Sequence, residues 1–300
     1  MQPKLTISLV TWNSSQDLPN FFESLKTQSF QDFELLVVDN HSIDDSLDKI
    51  KDLYPEATIL PQSKNLGYGA AHNIAIAQSK SPFHLVLNAD LRLGPDFIAR
   101  LLEAMEQDDK AASAGGKLLK LGETSPTIDS AGLEMHRSRR VTDRGEGEPD
   151  QGQYDSKEEI WGISGAACLF RKSALEQVKE GAGEYYDARF FMYKEDVDLA
   201  WRLQKAGWKS LYVPSAVAYH RRSAFGRQDD LAVAAARKEK SKMMNYYSYR
   251  NHLLTLFKNE TTRTFLPRAP WIIWYELKKL AYLLFFEPKT LRAWGVIKKK

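Results

Sequence analysis

The chain has 300 residues, enough for one large α/β domain with a helical extension and a sizeable core. With 42 basic against 39 acidic residues the net charge is only +3, too even for a bulk nucleic-acid binder. A single cysteine, Cys168, rules out an internal disulfide, and nothing in the composition demands an oxidising compartment.

The opening stretch MQPKLTISLVTWN has no basic region followed by a long apolar one, so it reads as a first strand and not as a signal peptide. Residues 5–10 (LTISLV) are an apolar run of strand length. Over 18–27 the residues Leu18, Phe21, Phe22 and Leu25 fall on one helical face. A second strand is predicted over 33–38, a short helix over 46–53, and a third strand over 57–60. An Ala-rich helix over 69–78, a fourth strand over 84–87 and a helix over 95–107 follow. Strands alternating with helices at this pitch predict a parallel, doubly wound sheet, with ligands at the carboxyl ends of its strands.

Residues 111–114 predict a further strand. The stretch 121–156 is rich in Gly, Asp, Arg and Ser, with RSRR at 137–140, and is expected to be a long mobile loop. Ordered apolar sequence resumes over 160–170, where Cys168 lies in AACLF and reads as core. A helix over 195–205 stops at Gly207, and a short strand over 211–213 precedes Pro214. After about residue 228 the composition shifts. Residues 231–257 have helical spacing, and 270–286 (PWIIWYELKKLAYLLFF) form an apolar stretch whose charges, Glu276, Lys278 and Lys279, fall within an arc of roughly 160°. No charge-free window of about 18 apolar residues occurs, so no spanning helix is expected.

The polar residues at the predicted strand ends are the candidates for chemistry. Strand one ends in Thr11-Trp12-Asn13. Strand two ends in Asp39-Asn40-His41-Ser42, where Asp39 suits either a ribose or base edge or a helix cap. Next, NLGYGAAHN at 65–73 puts two glycines before a helix, which suits either close approach of a ligand or a tight turn. Strand four ends in Asn88-Ala89-Asp90. A carboxylate there suits a hard cation such as Mg²⁺ or Mn²⁺, or again a cap. In FFMYKEDVD at 190–198, Asp198 is spaced to pair with Arg202, which leaves Glu195 and Asp196 as general-base candidates. His220 follows the last strand, where a metal-ligand role competes with a structural one.

The order of VTWN, VVDNHSID, NLGYGAAHN, LNAD, WGISGAACLFR, FFMYKEDVDLAWRLQKAGW, VPSAVAYH and YYSYRN, over about residues 5–255, closely resembles glycosyltransferase family 2, and within it the rhamnosyltransferase-like enzymes of bacterial polysaccharide assembly. The resemblance implies an α/β fold of the GT-A type, a Rossmann-like sheet flanked by helices, with a C-terminal helical extension. It implies a catalytic domain over 1–228, with nucleotide-sugar binding in 1–116 and the acceptor and catalytic part in 117–228, followed by helices over 229–300.

By the same resemblance, Thr11 and Asn13 line the nucleotide pocket and Asp39 holds uracil or thymine. Asn65, Gly67 and Asn73 shape the donor site, and Gly165 and Ala166 leave room for the sugar. Asp90 and His220 match the metal ligands, Asp196 matches the base that deprotonates the acceptor, and Glu195 is its substitute. Asn88 stands where the family's DXD motif has its first acid, so the protein part of the metal shell is sparse. The implied reaction is a single inverting displacement on a dTDP- or UDP-sugar, with L-rhamnose the favoured sugar and a UDP-hexose or UDP-N-acetylhexosamine the alternative. The implied cofactor is Mg²⁺ or Mn²⁺. The implied acceptor is a saccharide or lipid-linked saccharide, met at the cytoplasmic face of the inner membrane.

Two further expectations concern accessory contacts. Arg137, Arg139, Arg140 and Arg144 are placed to meet acceptor phosphates, or form a solvated charge run. The 270–286 helix, with Trp271, Trp274 and Tyr275, either lies on anionic lipid or packs on protein. A nucleotidyltransferase reading fails because TWNSSQDL replaces the expected Gly-rich basic loop after strand one. A degenerate sugar-binding module is opposed by the presence of Asp90 and Asp196.

Overall fold

A computed structural model of the chain describes residues 2–156, 158–181, 183–222 and 232–298. The first half alternates β1 (Leu5–Thr11), α1 (Leu18–Lys26), β2 (Phe33–Asp39), α2 (Ser46–Leu53), β3 (Thr58–Pro61), α3 (Tyr68–Gln78), β4 (Phe83–Asn88), β5 (Leu91–Leu93) and α4 (Phe97–Glu106). There follow β6 (Ala111–Lys120), β7 (Ile128–Ser130), β8 (Leu133–Met135), β9 (Val141–Asp143), β10 (Glu158–Ile160), β11 (Ala167–Arg171) and α5 (Lys172–Gln177). The part of the chain that builds the sheet closes with α6 (Glu195–Lys205) and β12 (Lys209–His220). Three α-helices follow among the described residues, α7 (Ala232–Asn259), α8 (Thr262–Phe265) and α9 (Ala269–Phe286), and a 3-10 helix over Pro288–Lys298 comes after them.

The main sheet runs in the order β10-β12-β6-β11-β4-β1-β2-β3. The strands β3, β2, β1 and β4 are mutually parallel, whereas β11 runs antiparallel between β4 and β6. The register aligns Thr11 with Asp39 and Val10 with Asn88, so their polar ends reach one edge. This is the mixed, mostly parallel GT-A sheet that the motifs imply.

Alternation along β1 divides the core in two. Leu5, Ile7 and Leu9 face the layer built with α1 and α4, through Leu18, Phe21, Leu25, Phe97 and Leu101. Thr6 and Ser8 face the other layer and are buried but bonded: Ser8 Oγ lies 2.8 Å from His72 Nδ1 and 2.9 Å from His84 Nε2. That second layer packs Ile76, Val86, Cys168, Phe170, Tyr186, Leu199 and Tyr212, so Cys168 is a core residue.

Two expected boundaries are corrected. The segment 121–156 is not a structureless loop: it carries β7 and the β8–β9 hairpin, and buries Ile128, Ala131, Leu133 and Val141. Three-residue strands with polar tips supply too few apolar positions to show a period. The strand expected to stop before Pro214 continues to His220. Its pairing with β6 shifts register between Val213 and Val217, and Pro214 sits in that bulge, where a missing N–H breaks no ladder.

The C-terminal helices form a small core of their own around Tyr249, Leu253, Leu283 and Ala293. They are also tied to the part that carries the sheet. Lys258 Nζ donates to Asp187 and Asp198, each at 2.8 Å, and Asn259 Nδ2 donates to Asp198 Oδ1 at 2.7 Å. Among the described residues, no helix is long and apolar enough to cross a membrane.

Candidate active site

At the nucleotide end, Asp39 is almost wholly buried beneath the β1–β2 edge. Thr11 Oγ1 donates to its Oδ1 at 3.1 Å, and the Ser42 amide donates to Oδ2 at 3.1 Å. Each carboxylate oxygen keeps a second lone pair, which an N–H of a pyrimidine base can use. Asn13 takes a left-handed φ of +52° and accepts the Ile43 amide at 2.9 Å, closing this edge. These three expected residues are therefore neighbours on one rim.

Of the two readings its spacing left open, the glycine loop forms a tight turn packed against protein. Gly67 has φ +85°, and a Cβ there would stand 2.3 Å from the Phe191 carbonyl oxygen; one on Gly69 would stand 2.7 Å from Tyr186 Cβ. The glycines make room for protein, and the Tyr68 amide is already taken by Phe191 O at 2.8 Å. Asn65 Oδ1 accepts from the Gly67 amide at 2.8 Å and from Asn40 at 3.0 Å. Asn73 brackets the Tyr186 backbone, donating to its oxygen at 2.7 Å and accepting its amide at 2.8 Å. Asn65, Gly67 and Asn73 thus help to fix the segment that leads to Glu195 and Asp196 through bonds to protein.

Past the end of β4, Asp90 meets His220 from the end of β12, with Oδ1 and Nε2 3.2 Å apart. His220 Nδ1 lies 2.8 Å from Asp129 Oδ2, which orients the ring, and Arg222 contacts Asp129 Oδ1 at 2.5 Å. Burial opposes charge on His220, but the hydrogen bonds to Asp129 and Asp90 outweigh it and raise the imidazole to about 9. A divalent cation fits the place of the Nε2 proton: a hard oxygen and an imidazole nitrogen converge there, and the second ring nitrogen is held by a carboxylate. Among the described residues no group of three His, Cys, Asp or Glu side chains could hold a metal, so a cation held by Asp90 and His220 would need further oxygen ligands from outside the protein. The Asn88 backbone N–H donates to Ala166 O at 2.9 Å. Asp129 escapes sequence reasoning because it lies in the stretch expected to be a loop; its one signal is its place between Ile128 and Ala131, both buried.

The two candidate acids, Glu195 and Asp196, open α6. Asp196 Oδ2 accepts the Gly165 amide at 3.0 Å and Oδ1 accepts the Val197 amide at 2.8 Å, so both oxygens are oriented. Tyr68 locks the other side of Gly165 by donating to its carbonyl. A Cβ on Gly165 would stand 3.3 Å from Asp196 Cβ, so the small residue lets the backbone close on the acid; Ala166 beside it is buried. Glu195 differs from its neighbour. It is buried, its Oε2 has no partner among the described residues, and burial followed by repulsion from Asp196 raises it to about 8. Burial and the adjacent Asp196 carboxylate thus disfavour a charge on Glu195. As expected, Asp198 pairs with Arg202, at 2.9 Å inside the protein.

Behind these acids lies a residue to which the sequence alone assigns no role. Phe191, Tyr193 and Lys194 all have left-handed φ values, of +61°, +65° and +68°. Asn251 of α7, fully buried, donates to the carbonyls of Phe190, Met192 and Tyr193 at 2.8, 2.7 and 2.9 Å. The YYSYRN motif at 246–251 therefore holds the loop that leads into the acid pair. The four arginines separate. Arg139 is bound to Glu260, with Nη2–Oε1 2.9 Å, and stacks on Trp201. Arg144 donates to Ala131 O at 2.9 Å and stacks on Tyr154 and Tyr212. Neither is available to an acceptor phosphate. Arg137 lies 5.1 Å over the Trp271 ring, and Arg140 is exposed. The α9 helix turns Glu276 inward, 2.7 Å from His252, and its Trp274, Phe285 and Phe286 outward, 61%, 81% and 72% exposed.

The family model described as "Glycosyl transferase family 2" matches residues 6–179. An N-acetylglucosaminyl-diphospho-decaprenol L-rhamnosyltransferase of Mycobacterium tuberculosis is 31% identical over 271 residues, spanning 79% of this chain and 83% of that one. An O-antigen chain rhamnosyltransferase of Salmonella typhimurium is 23% identical over 218 residues, 72% of this chain and 66% of that one. The solved mannosyltransferase PcManGT of Pyrobaculum calidifontis, in complex with GDP-Man and Mn²⁺, superposes with a TM-score of 0.59 over 99% of this chain and 75% of its own, at 14% identity.

Proposed function

This chain belongs to glycosyl transferase family 2, and on that premise we propose that it moves L-rhamnose from dTDP-L-rhamnose, with inversion, onto a saccharide carried by a lipid diphosphate. The coarser reading, sugar transfer in polysaccharide assembly, follows from the family and its rhamnosyltransferase relatives. The observation that carries the mechanism is the pair of amides on Asp196, which holds a half-exposed carboxylate rigid beside a loop narrowed by Gly165. An acceptor hydroxyl placed there gives its proton to Asp196 as its oxygen bonds to the anomeric carbon. The bond from that carbon to the diphosphate breaks in the same displacement, so the centre inverts and no sugar–enzyme bond forms. Asp39 accepts the N3–H of thymine or uracil, and the fixed strand edge orients the donor. Asp90 and His220 would hold Mg²⁺ or Mn²⁺, which neutralises charge on the departing diphosphate when bound.

The outward face of α9 supports a peripheral place at the cytoplasmic face of the inner membrane. Trp271 and Trp274 stand at its surface, and Lys278 lies 4.9 Å over the Trp274 ring. Liposomes containing phosphatidylglycerol should pull the protein down, and failure to do so would count against this placement.

The deciding test is donor binding and hydrolysis with dTDP-rhamnose, UDP-glucose, UDP-galactose and UDP-GlcNAc, in Mg²⁺, in Mn²⁺ and in EDTA. Preference for dTDP-rhamnose, lost in EDTA, supports the proposal. A metal-dependent preference for a UDP-sugar moves the donor to the alternative, and no binding by folded protein overturns the transferase reading.

A further inference from the structure

An apolar groove of about 460 Å³ runs between α7, α8 and α9, lined by Leu253, Leu256, Ile273, Leu277, Leu280 and Trp294. This is within the ~300–1,000 Å³ range of small-ligand sites. Its two carboxylates are already satisfied. Glu260 is paired with Arg139, and Glu276 accepts hydrogen bonds from His252 at 2.7 Å and Tyr249 at 3.2 Å. The groove is therefore electrically quiet, and it opens beside the exposed apolar face of α9.

The way from this groove to the catalytic acid is marked by cations. The β8–β9 hairpin is tied down at its tip by Arg139 on Glu260 and Trp201 and by Arg137 on Trp271. That leaves Arg140 exposed at the end of the tie, on the side facing Lys194, which feels its charge. Lys194 precedes the acid pair with φ +68°, and it makes no ion pair within 4 Å among the described residues. Burial pushes its ammonium down, while Asp196 and Asp143 act to raise it. A half-buried cation with no carboxylate bonded to it among the described residues, two residues from the proposed base, is set for an anion that arrives with the substrate.

We infer that the α7–α8–α9 groove receives the first isoprenoid units of a lipid-linked acceptor, while Arg140 and Lys194 take its phosphates and so bring its sugar to Asp196. This deepens the proposed function and rests on it. The order of features, base then cations then apolar groove, matches the order of groups along a saccharide–diphosphate–prenyl chain. A bilayer acyl chain would match the groove alone.

The test uses the full-length protein and geranylgeranyl diphosphate, followed by quenching of tryptophan fluorescence, with geranylgeraniol as the uncharged probe. Leu280→Trp, which fills the groove, should weaken both probes by about tenfold or more, roughly 1.4 kcal/mol per tenfold. Ile273→Arg, at the exposed rim and without effect on the core, should do the same if Leu280→Trp fails to fold. Arg140→Ala combined with Lys194→Ala should weaken the diphosphate by about tenfold and leave geranylgeraniol unchanged. Unchanged diphosphate binding in both groove variants overturns the inference. So does loss of phosphatidylglycerol-vesicle binding in those variants with geranylgeranyl diphosphate binding intact, since the groove then serves the bilayer. Binding of dTDP-rhamnose is measured alongside: its absence in the wild type would sink the transferase reading and leave the groove result standing.

Discussion

Replacing Asn251 by alanine tests whether α7 belongs to the catalytic apparatus. Its side-chain nitrogen is shared among three carbonyls at 2.7–2.9 Å, deep in the protein. Two N–H groups are lost, at about 1–1.5 kcal/mol each, and three buried carbonyls lose their donor, so a total near 3 kcal/mol is expected. The loop they hold has three non-glycine residues at left-handed φ, a conformation that costs ~1 kcal/mol or more at each. Once its brace is removed, the loop has reason to relax. If the loss is local, it falls on the population of correctly placed Asp196, and ~3 kcal/mol is about a hundredfold in kcat. If it is global, the melting temperature falls by roughly 6–12 °C. Steady-state sugar transfer and differential scanning fluorimetry on one preparation separate the two. Asn251→Asp should be worse than alanine, because a carboxylate would face three carbonyl oxygens. An alanine variant with wild-type kcat and a melting temperature within about 1 °C would refute the bracing role.

Three further outcomes are expected of the site. Asp196→Asn should reduce transfer by about a thousandfold, within the ~10²–10⁴ range of a general base, and leave the donor Kd unchanged by calorimetry; weakened donor binding would move Asp196 out of the base role. Gly67→Ala should lower stability by more than about 1 kcal/mol and disorder the 190–194 loop, because its Cβ meets the Phe191 oxygen at φ +85°; an unchanged melting temperature and activity would contradict this. Glu195→Gln should flatten the dependence of stability on pH. Glu195 is raised to about 8 in the folded protein from an ordinary 4.5, so its contribution is fully present below 4.5 and is lost as pH climbs towards and through 8. Wild-type melting temperature should therefore fall between pH 5 and 8 more steeply than that of the glutamine variant, and parallel curves would sink the assignment.

The parallel half of the sheet was legible because β1, β2 and β4 are continuous apolar runs and each ends in a polar residue. The acids Asp39, Asp90 and Asp196 and the imidazole of His220 stand just past apolar runs or at a helix start, where a polar side chain is conspicuous. The other contributors were set by partners that no spacing reveals. Asn251 works through backbone carbonyls some sixty positions away, and a carbonyl leaves no mark on its residue type. The glycines of NLGYGAAHN read equally as room for a ligand or as a turn, and the space is filled by Phe191 and Tyr186. Asp129 and the β8–β9 hairpin were hidden in a polar stretch whose strands are only three residues long. Glu195 and Asp196, adjacent and alike in sequence, part only through burial.

The bulge in β12 bears on how this family can lengthen or shorten its last strand. Beyond Val217 the strand is paired on both sides, Ala218 with Leu93 and Leu118, and His220 with Leu91 and Lys120. Side chains alternate faces there, so deleting one residue between 217 and 220 would turn the imidazole away from Asp90 and put a neighbour in its place. Between Val213 and Val217 the ladder is already out of step, and Pro214 offers no donor to lose. A one-residue insertion or deletion at 214–216 is absorbed by an irregularity that exists, with His220 still facing the cleft. Indels among homologous chains should therefore collect at the bulge and be absent from the four positions after it.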